Sequence, residues 1–210
     1  MPYKANLAAL KSLGVRHVIG TCVVGSLRKE IEPGTFVIPD QFINLTWGRD
    51  DSFDIDRQLI HLPMARPYCE HVRSIIAREL GMMKMPCQAH GTVVVIQGPR
   101  FSTIAESKMY AYVGGDIVNM TQYPECYFAR ELGICYGAIA TVTDYDVGVP
   151  STISMQPESM KSVLEIFRSN TGKTVNLLEK LSAAAQEIKK CSCASDHFTE
   201  YYKSTIKSGM

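Results

Sequence analysis

The 210-residue chain has almost no excess of charge and no long hydrophobic run. Lysine and arginine number 22 against 21 aspartate and glutamate, so no basic surplus is available to meet the phosphates of a nucleic acid. No apolar run approaches the roughly 20 residues that span a bilayer, and no hydrophobic signal segment opens the sequence. We therefore expect a cytoplasmic protein with neither nucleic-acid nor membrane partners.

Motifs of several enzyme classes are also missing. The sequence contains neither a Walker phosphate loop nor a G-x-G-x-x-G fingerprint, which leaves nucleoside triphosphates and dinucleotides without support. It contains no G-x-S-x-G elbow and no histidine-rich metal signature. The seven cysteines are scattered and odd in number, which is typical of buried thiols in a reducing compartment. Cys191 and Cys193 have no Cys or His pair nearby to complete a zinc site, so we expect nothing catalytic from them.

Apolar, β-branched segments alternate along the chain with segments of helical periodicity. The apolar runs predict buried strands at 16–24, 34–43, 91–97, 116–118 and 134–142. Helices are predicted at 4–13, 68–80, 102–113, 123–132 and 157–189, with Ser102 as an N-cap candidate. This order predicts an α/β fold, in which a mixed, largely buried central sheet is flanked by helices. We expect a single domain over residues 1–190 and a tail at 191–210.

Four polar clusters stand at or just after the predicted strands. Because ligands of such sheets usually bind beyond the strand ends, these clusters are the candidates for a functional site: 25–26, 98–102, 119–121 and 143–146.

Asp144 and Asp146 are the most informative residues of these clusters. Two carboxylates two positions apart point the same way if the segment is extended. Burial and mutual repulsion raise the pKa of such a carboxyl group. One aspartate can then donate a proton while its ionised neighbour accepts from an exocyclic amine, which suits a base that has a ring nitrogen beside an amino group. A solvated loop or half of a metal site would explain the same spacing.

The other candidates each allow two interpretations. Phe101 can stack on a flat ligand ring or pack in the core. Thr121 can hold an anion or cap the helix predicted at 123–132. His61 lies among apolar residues and is either structural or part of an apolar ligand pocket. Residues 22–26 are predicted to form a turn whose backbone N–H groups can meet a phosphate.

Taken together, several segments resemble the trimeric purine nucleoside phosphorylase family, and within it the members that act on 5′-methylthioadenosine. They follow one another in the family's order over residues 3–146, with the sequences YKAN, GSLR, VIPDQFI, GPRFS, AES, NMT and TDYD. The resemblance implies a purine nucleoside phosphorylase-like fold and a homotrimer. It also implies phosphorolysis of 5′-methylthioadenosine by inorganic phosphate. The products would be adenine and 5-methylthioribose 1-phosphate, and no metal or organic cofactor would be needed.

By the same resemblance, five residues would surround the purine. Asp144 would protonate N7 of the leaving base. Asp146 would accept from the 6-amino group, which selects adenine over 6-oxopurines. Phe101 and Ser102 would border the base, and Tyr145 would belong to the substrate site as well.

The remaining family positions would meet the sugar and the phosphate. Met120 would pack on the ribose, Thr121 would bind phosphate, and His61 would reach the methylthio pocket across the trimer interface. Cys22 and Val23 stand where family members usually carry a Thr-Ala pair that contacts phosphate. A backbone N–H is kept at this place, but a hydroxyl is lost.

The chain also differs from the family pattern at its start. By the resemblance, a segment with a Gly-rich phosphate loop, an Arg-His pair and two central strands should precede Tyr3. We expect the lack of those strands to expose apolar sheet edges. Two other functions therefore stay open. One is a phosphorylase of 6-oxopurine nucleosides such as methylthioinosine, which Asp146 disfavours, and the other is an inactive purine-binding paralogue or fragment.

Overall fold

The computed structural model describes residues 1–53, 61–150, 160–184 and 187. Within these residues a seven-stranded sheet has the strand order β3-β5-β6-β1-β7-β2-β4. The strands are β1 (His17–Ser26), β2 (Phe36–Val37), β3 (Gln41–Leu45), β4 (Cys87–Gln88), β5 (Thr92–Ile96), β6 (Ile117–Asn119) and β7 (Cys135–Tyr145). The sheet is mixed, because β1 runs parallel to β7 but antiparallel to β6, and β2 runs antiparallel to β7.

Helices cover both faces of this sheet. They are α1 (Tyr3–Ser12), α2 (Glu70–Met82), α3 (Ile104–Tyr112), α4 (Gln122–Glu131) and α5 (Met160–Ala183). α1 and α4 contribute Leu7 and Phe128 to a core cluster on one face. α2 and α5 contribute Ile76 and Leu177 to a cluster on the other. The predicted α/β fold with a central mixed sheet flanked by helices is therefore confirmed.

Strand β7 contributes side chains to both clusters, and ten of its eleven residues are buried. Alternate residues of an extended strand face opposite sides. Ala138 and Ala140 accordingly lie in the first cluster and Ile139 in the second. Gly137 lets α2 approach closely, because a Cβ there would lie 2.5 Å from the Val72 side chain.

Several predicted boundaries were wrong. The segment 34–43 is two strands, β2 and β3, separated around Pro39. Residues 22–26 continue β1 and do not form a turn, because Gly25 and Ser26 pair with Asp144 and Tyr145. The N-cap of α3 is Thr103 and not Ser102, and it forms a capping box with Glu106.

One edge of β1 is largely uncovered by other strands. β7 pairs with β1 along its whole length, whereas β6 pairs only with Gly25 and Ser26. Among the described residues, no strand pairs with the other edge of β1 between His17 and Val24. The tail at 191–210, with Cys191 and Cys193, lies outside the described residues, so the domain boundary stays a prediction. None of the described helices is long and apolar enough to cross a membrane.

Candidate active site

A cavity of about 840 Å³ opens where the C-terminal ends of β1 and β7 meet α5, which lines it from Val163 to Leu178. The loops that follow β5 and β6 form its other walls. Eight of the sequence-predicted site residues line it: Cys22, Val23, Phe101, Ser102, Met120, Thr121, Asp144 and Asp146. Gly25 and Asp144 are far apart in the sequence, but they meet here because β1 and β7 are adjacent parallel strands.

The two aspartates lie together over one glycine. An irregularity in the β1–β7 register after Val24 brings Gly25 opposite Asp144. A Cβ on Gly25 would lie 3.6 Å from Asp144 Oδ2 and 3.6 Å from the Cβ of Asp146, so both side chains stand on the same face of this strand pair. The backbone N–H of Asp146 donates to the Ser26 carbonyl at 2.8 Å, which fixes the residue just beyond β7. Both residues therefore lie at the end of the strand pair, with Asp144 inside β7 and not after it.

Asp144 lies where the charged form of its side chain is disfavoured. Its side chain is only 5% exposed, and this burial raises the pKa of the carboxyl group to about 6. The Thr143 hydroxyl donates to Asp144 Oδ1 at 2.8 Å and opposes the rise. The negative charge of Asp146 adds to it. A carboxylic acid with such a pKa is suited to general acid catalysis near neutrality.

Asp146 leaves one carboxylate oxygen open to a ligand. Burial raises the pKa of its carboxyl group, and the Ser107 hydroxyl and the backbone N–H of Val147 offset only part of that rise. Its Oδ2 is buried and has no hydrogen-bond partner among the described residues. Ser107 is itself fully buried and accepts from the Gly148 N–H at 3.0 Å, so it is fixed in place. Ser107 was not among the predicted site residues. Its role depends on the packing of α3 against the segment after β7, which a sequence pattern does not reveal.

The opposite side of the cavity offers only neutral donors. Burial raises the pKa of the Cys22 thiol to about 12, so this thiol is uncharged at neutral pH. Gln122 Nε2 donates to its sulfur at 3.6 Å. Thr121 occupies the N-cap position of α4, yet its side chain makes no capping hydrogen bond. Its hydroxyl is thus not used by the helix. No lysine or arginine is among the described residues that line this cavity.

Met120 is packed against the loop that leads to Phe101. Gly98 has a φ of +64°, and a Cβ there would lie 2.5 Å from Met120 Sδ. Glycine is therefore required for both the backbone conformation and the close approach. Phe101 is 52% exposed and stands at the rim of the cavity. An exposed aromatic ring at a cavity rim is not core packing, which was the alternative interpretation of Phe101.

A wall of the cavity comes from α5, which the sequence analysis did not single out. Val163, Leu164 and Phe167 give it an apolar surface. Asn170 lies further along the same helix and is only 2% exposed. Its Nδ2 has no hydrogen-bond acceptor among the described residues, so this amide is available to a ligand. A polar residue within an apolar helical stripe was the signal that could have revealed it.

Two predicted site residues do not line this cavity. The Tyr145 hydroxyl donates to the Lys29 carbonyl at 3.0 Å, because Tyr145 alternates with the two aspartates and faces the other way. His61 is exposed in the segment before α2. Its predicted contact across a subunit interface involves a second copy of the chain and stays a prediction. No cluster of three or more metal-ligating side chains occurs among the described residues.

Comparisons with known proteins agree on one family. The family model described as Phosphorylase superfamily matches residues 1–183. S-methyl-5′-thioadenosine phosphorylase of Nitrosopumilus maritimus is 44% identical over 192 residues, which cover 91% of this chain and 71% of that protein. The enzyme of the same name from Thermococcus kodakarensis is 46% identical over 197 residues, covering 92% and 73%. Methylthioadenosine phosphorylase from Schistosoma mansoni in complex with adenine superimposes with a TM-score of 0.81 at 35% identity, covering 98% of this chain and 77% of that one.

Proposed function

The chain belongs to the phosphorylase superfamily, and on this premise we propose that it catalyses phosphorolysis of 5′-methylthioadenosine to adenine and 5-methylthioribose 1-phosphate. The observation that carries the proposal is the buried pair of Asp144 and Asp146 over Gly25. Relatives that carry the name of this activity are 44% and 46% identical to the chain.

The chemistry follows from the different surroundings of the two carboxyl groups. Asp144 donates its proton to N7 of the adenine as the bond between N9 and C1′ breaks, so the base leaves uncharged. An oxygen of inorganic phosphate forms the new bond to C1′. Asp146 accepts a hydrogen bond from the 6-amino group of the base. A 6-oxo group would instead place one acceptor against another, and this mismatch favours 6-aminopurines.

The remaining walls suit the rest of the substrate. Phe101 offers a ring for the base and Met120 an apolar contact for the ribose. The apolar α5 residues Val163, Leu164 and Phe167 suit a methylthio group better than a hydroxyl. Thr121 and the backbone beside Cys22 and Val23 are the phosphate ligands of the proposal. Neither a metal nor an organic cofactor takes part in it, and phosphate is the co-substrate.

The proposal includes a homotrimer that acts in the cytoplasm. Exposed apolar side chains occur at the end of β3 and in the segments after β3 and β5, and one of them, Phe101, lines the cavity: Leu45, Trp47, Phe101 and Ile104. This surface is called the rim patch below. A second copy seated on the rim patch would close the cavity, and His61 of that copy would complete the methylthio pocket.

The test is the phosphate dependence of adenine release. Purified chain is incubated with 5′-methylthioadenosine with and without phosphate, and adenine and the sugar phosphate are followed by chromatography. We expect release only with phosphate, and at least a hundredfold loss in the Asp144→Asn variant. Methylthioinosine should be cleaved more slowly than 5′-methylthioadenosine. The ratio of the two rates should be smaller in the Asp146→Asn variant. Equal release with and without phosphate would contradict the proposal.

A second candidate function is purine binding without phosphorolysis. The absence of a lysine or arginine among the described cavity-lining residues favours it, because such residues usually pair with phosphate. Calorimetry separates the two functions. Adenine binding that depends on Asp146, together with no product at any phosphate concentration, would support this second function over the first.

A further inference from the structure

Arg49 follows β3 in a polar segment without helix or strand. The sequence analysis attached no role to it. Its guanidinium group has five N–H donors in a fixed plane, and all five are engaged. Every acceptor in the described part of the chain belongs to one of two segments. The first is the end of β5 with the next residue, and the second is the loop after β6 with the start of α4.

The first segment is Ile96-Gln97. Arg49 Nε donates to the Gln97 side-chain oxygen at 3.1 Å, and Nη2 donates to the backbone carbonyls of Gln97 at 3.0 Å and Ile96 at 3.3 Å. This segment leads directly through Gly98 to Phe101 and Ser102 in the cavity wall.

The second segment is 120–123, which is the loop after β6 together with the first two residues of α4. Arg49 Nη1 donates to the Met120 carbonyl at 3.0 Å and to the Tyr123 carbonyl. Thr121, whose hydroxyl does not cap α4, lies in the sequence between the two residues that supply these carbonyls. One guanidinium therefore joins the loop that carries Phe101 to the loop that carries Thr121.

The neighbours of Arg49 keep its side chain in place. The Tyr3 ring centroid is 5.8 Å from the guanidinium carbon. The backbone N–H of Trp47 donates to the same Gln97 side-chain oxygen at 3.2 Å. The Tyr123 hydroxyl donates to Asp51 Oδ1 at 2.6 Å, which ties the segment after Arg49 to the second loop as well.

We propose that Arg49 is a positioning residue that sets the distance between the purine-binding loop and the phosphate-binding loop. The proposal rests on the proposed function for the identity of the ligand. Arg49 does not line the cavity itself, so it acts through Phe101 and Thr121. Lysine keeps the charge but has a compact ammonium group that cannot serve both segments at once.

Arg73 supplies the matched control. It is buried and likewise holds two loops, because its Nε donates to the Pro39 carbonyl at 2.9 Å and its Nη2 to the Ala89 carbonyl at 2.7 Å. None of these residues lines the cavity. Removing either arginine should therefore lower stability, whereas only Arg49 should matter to the two site loops.

The experiment compares Arg49→Lys, Arg49→Met and Arg73→Met with the unmodified chain. Amide hydrogen exchange is measured over 97–102 and 120–123, and the affinity for adenine is measured by calorimetry. We expect both Arg49 variants to exchange at least tenfold faster in both segments and to bind adenine at least tenfold more weakly. Methylguanidinium should restore part of the affinity of Arg49→Met. Arg73→Met should change neither quantity.

Unchanged exchange in the two segments, or an adenine affinity unchanged while they loosen, would overturn the proposal. A like effect of Arg73→Met would overturn it too, since the arginine would then act only through global stability. Faster exchange and weaker adenine binding in a chain that never cleaves 5′-methylthioadenosine would uphold the role of Arg49. That result would reject only the proposed phosphorolysis.

Discussion

Asp144 is placed where a charge is disfavoured, and the proposed chemistry uses that placement. The protonated acid is the form that can protonate a leaving base, and burial keeps it populated up to a pKa of about 6. The same burial makes the ionised form costly at neutral pH. One side chain thus links the pH dependence of activity to that of stability.

The pH dependence of the rate is the first prediction. Above about pH 6 Asp144 loses its proton, so kcat/KM for 5′-methylthioadenosine should fall about tenfold for each further pH unit. The measurement is adenine release between pH 5 and pH 8.5 at saturating phosphate. A flat profile over that range would show that Asp144 is not the acid.

The stability of Asp144→Asn is the second prediction. The folded pKa of Asp144, about 6, lies above the ordinary aspartate pKa of 3.8. Its contribution to stability is therefore fully present below pH 4 and is lost as the pH rises through 6. At pH 7.5 the native chain carries a buried charge that costs on the order of 2–3 kcal/mol, and asparagine removes it.

We therefore expect Asp144→Asn to be more stable than the unmodified chain at pH 7.5 and equally stable near pH 4. Urea unfolding at the two pH values measures this. Asp50→Asn is the control, because Asp50 is 72% exposed and its replacement should change neither value. An Asn variant that is no more stable at pH 7.5 would contradict the assigned burial cost.

At the scale of elements, the loops after the strands contain many of the site residues, and glycines with positive φ determine the conformation of these loops. Gly98 and Gly34 both have a positive φ, at +64° and +98°, but only Gly98 is crowded. A Cβ at Gly34 would meet nothing within 4 Å, whereas at Gly98 it would meet the sulfur of Met120. An alanine at Gly34 would therefore cause backbone strain alone, whereas an alanine at Gly98 would cause the same strain and also displace Met120.

The third prediction compares Gly98→Ala with Gly34→Ala. Each should lose about 1 kcal/mol or more of stability, because alanine is strained at positive φ. Only Gly98→Ala should weaken adenine binding, by at least tenfold, since it pushes Met120 into the cavity. Denaturant unfolding and calorimetry measure the two effects. Equal loss of affinity in both variants would mean that Met120 is not part of the site.

Elements whose own residues determine them were predicted well, and elements that depend on distant segments were not. β5 was predicted within one residue at each end, because continuous runs of valine and isoleucine are buried on both faces. β4 could not be predicted, since two residues become a strand only through pairing with β2. The segment 34–43 was predicted as one, with Pro39 at an edge or bulge, because the apolar pattern continues through this proline. The structure instead ends β2 before Pro39 and begins β3 after it.

The candidate site shows the same limit. The residue spacing placed Asp144 and Asp146 side by side, because that relation is local. The wall formed by α5, the hydroxyl of Ser107 and the five bonds of Arg49 depend on contacts between distant segments. Tyr145 was misplaced because it came from the motif as a whole, although strand alternation turns it away from the two aspartates.

At the scale of the whole molecule, two of the exposed apolar regions among the described residues lie beside the cavity. One is the rim patch, where Trp47 is 73% and Ile104 57% exposed. The other is the uncovered edge of β1 beside α5, where Val23 is 48% exposed. Contiguous exposed apolar side chains mark interaction surfaces in soluble proteins. Both places reach the cavity, through Phe101 and Val23, but the rim patch carries the large exposed aromatic side chains, Trp47 and Phe101.

The last prediction concerns assembly through the rim patch. Light scattering should give the unmodified chain three times the mass of one chain. Trp47→Lys should give a single-chain mass, because a charge buried in an apolar interface is strongly disfavoured. Adenine binding should weaken at the same time, since the cavity loses its partner wall. Leu13→Lys is the control: Leu13 is 79% exposed after α1, so its replacement should leave both mass and affinity unchanged. A trimeric mass for Trp47→Lys would exclude the rim patch as the interface, and a single-chain mass for the unmodified chain would reject the trimer itself.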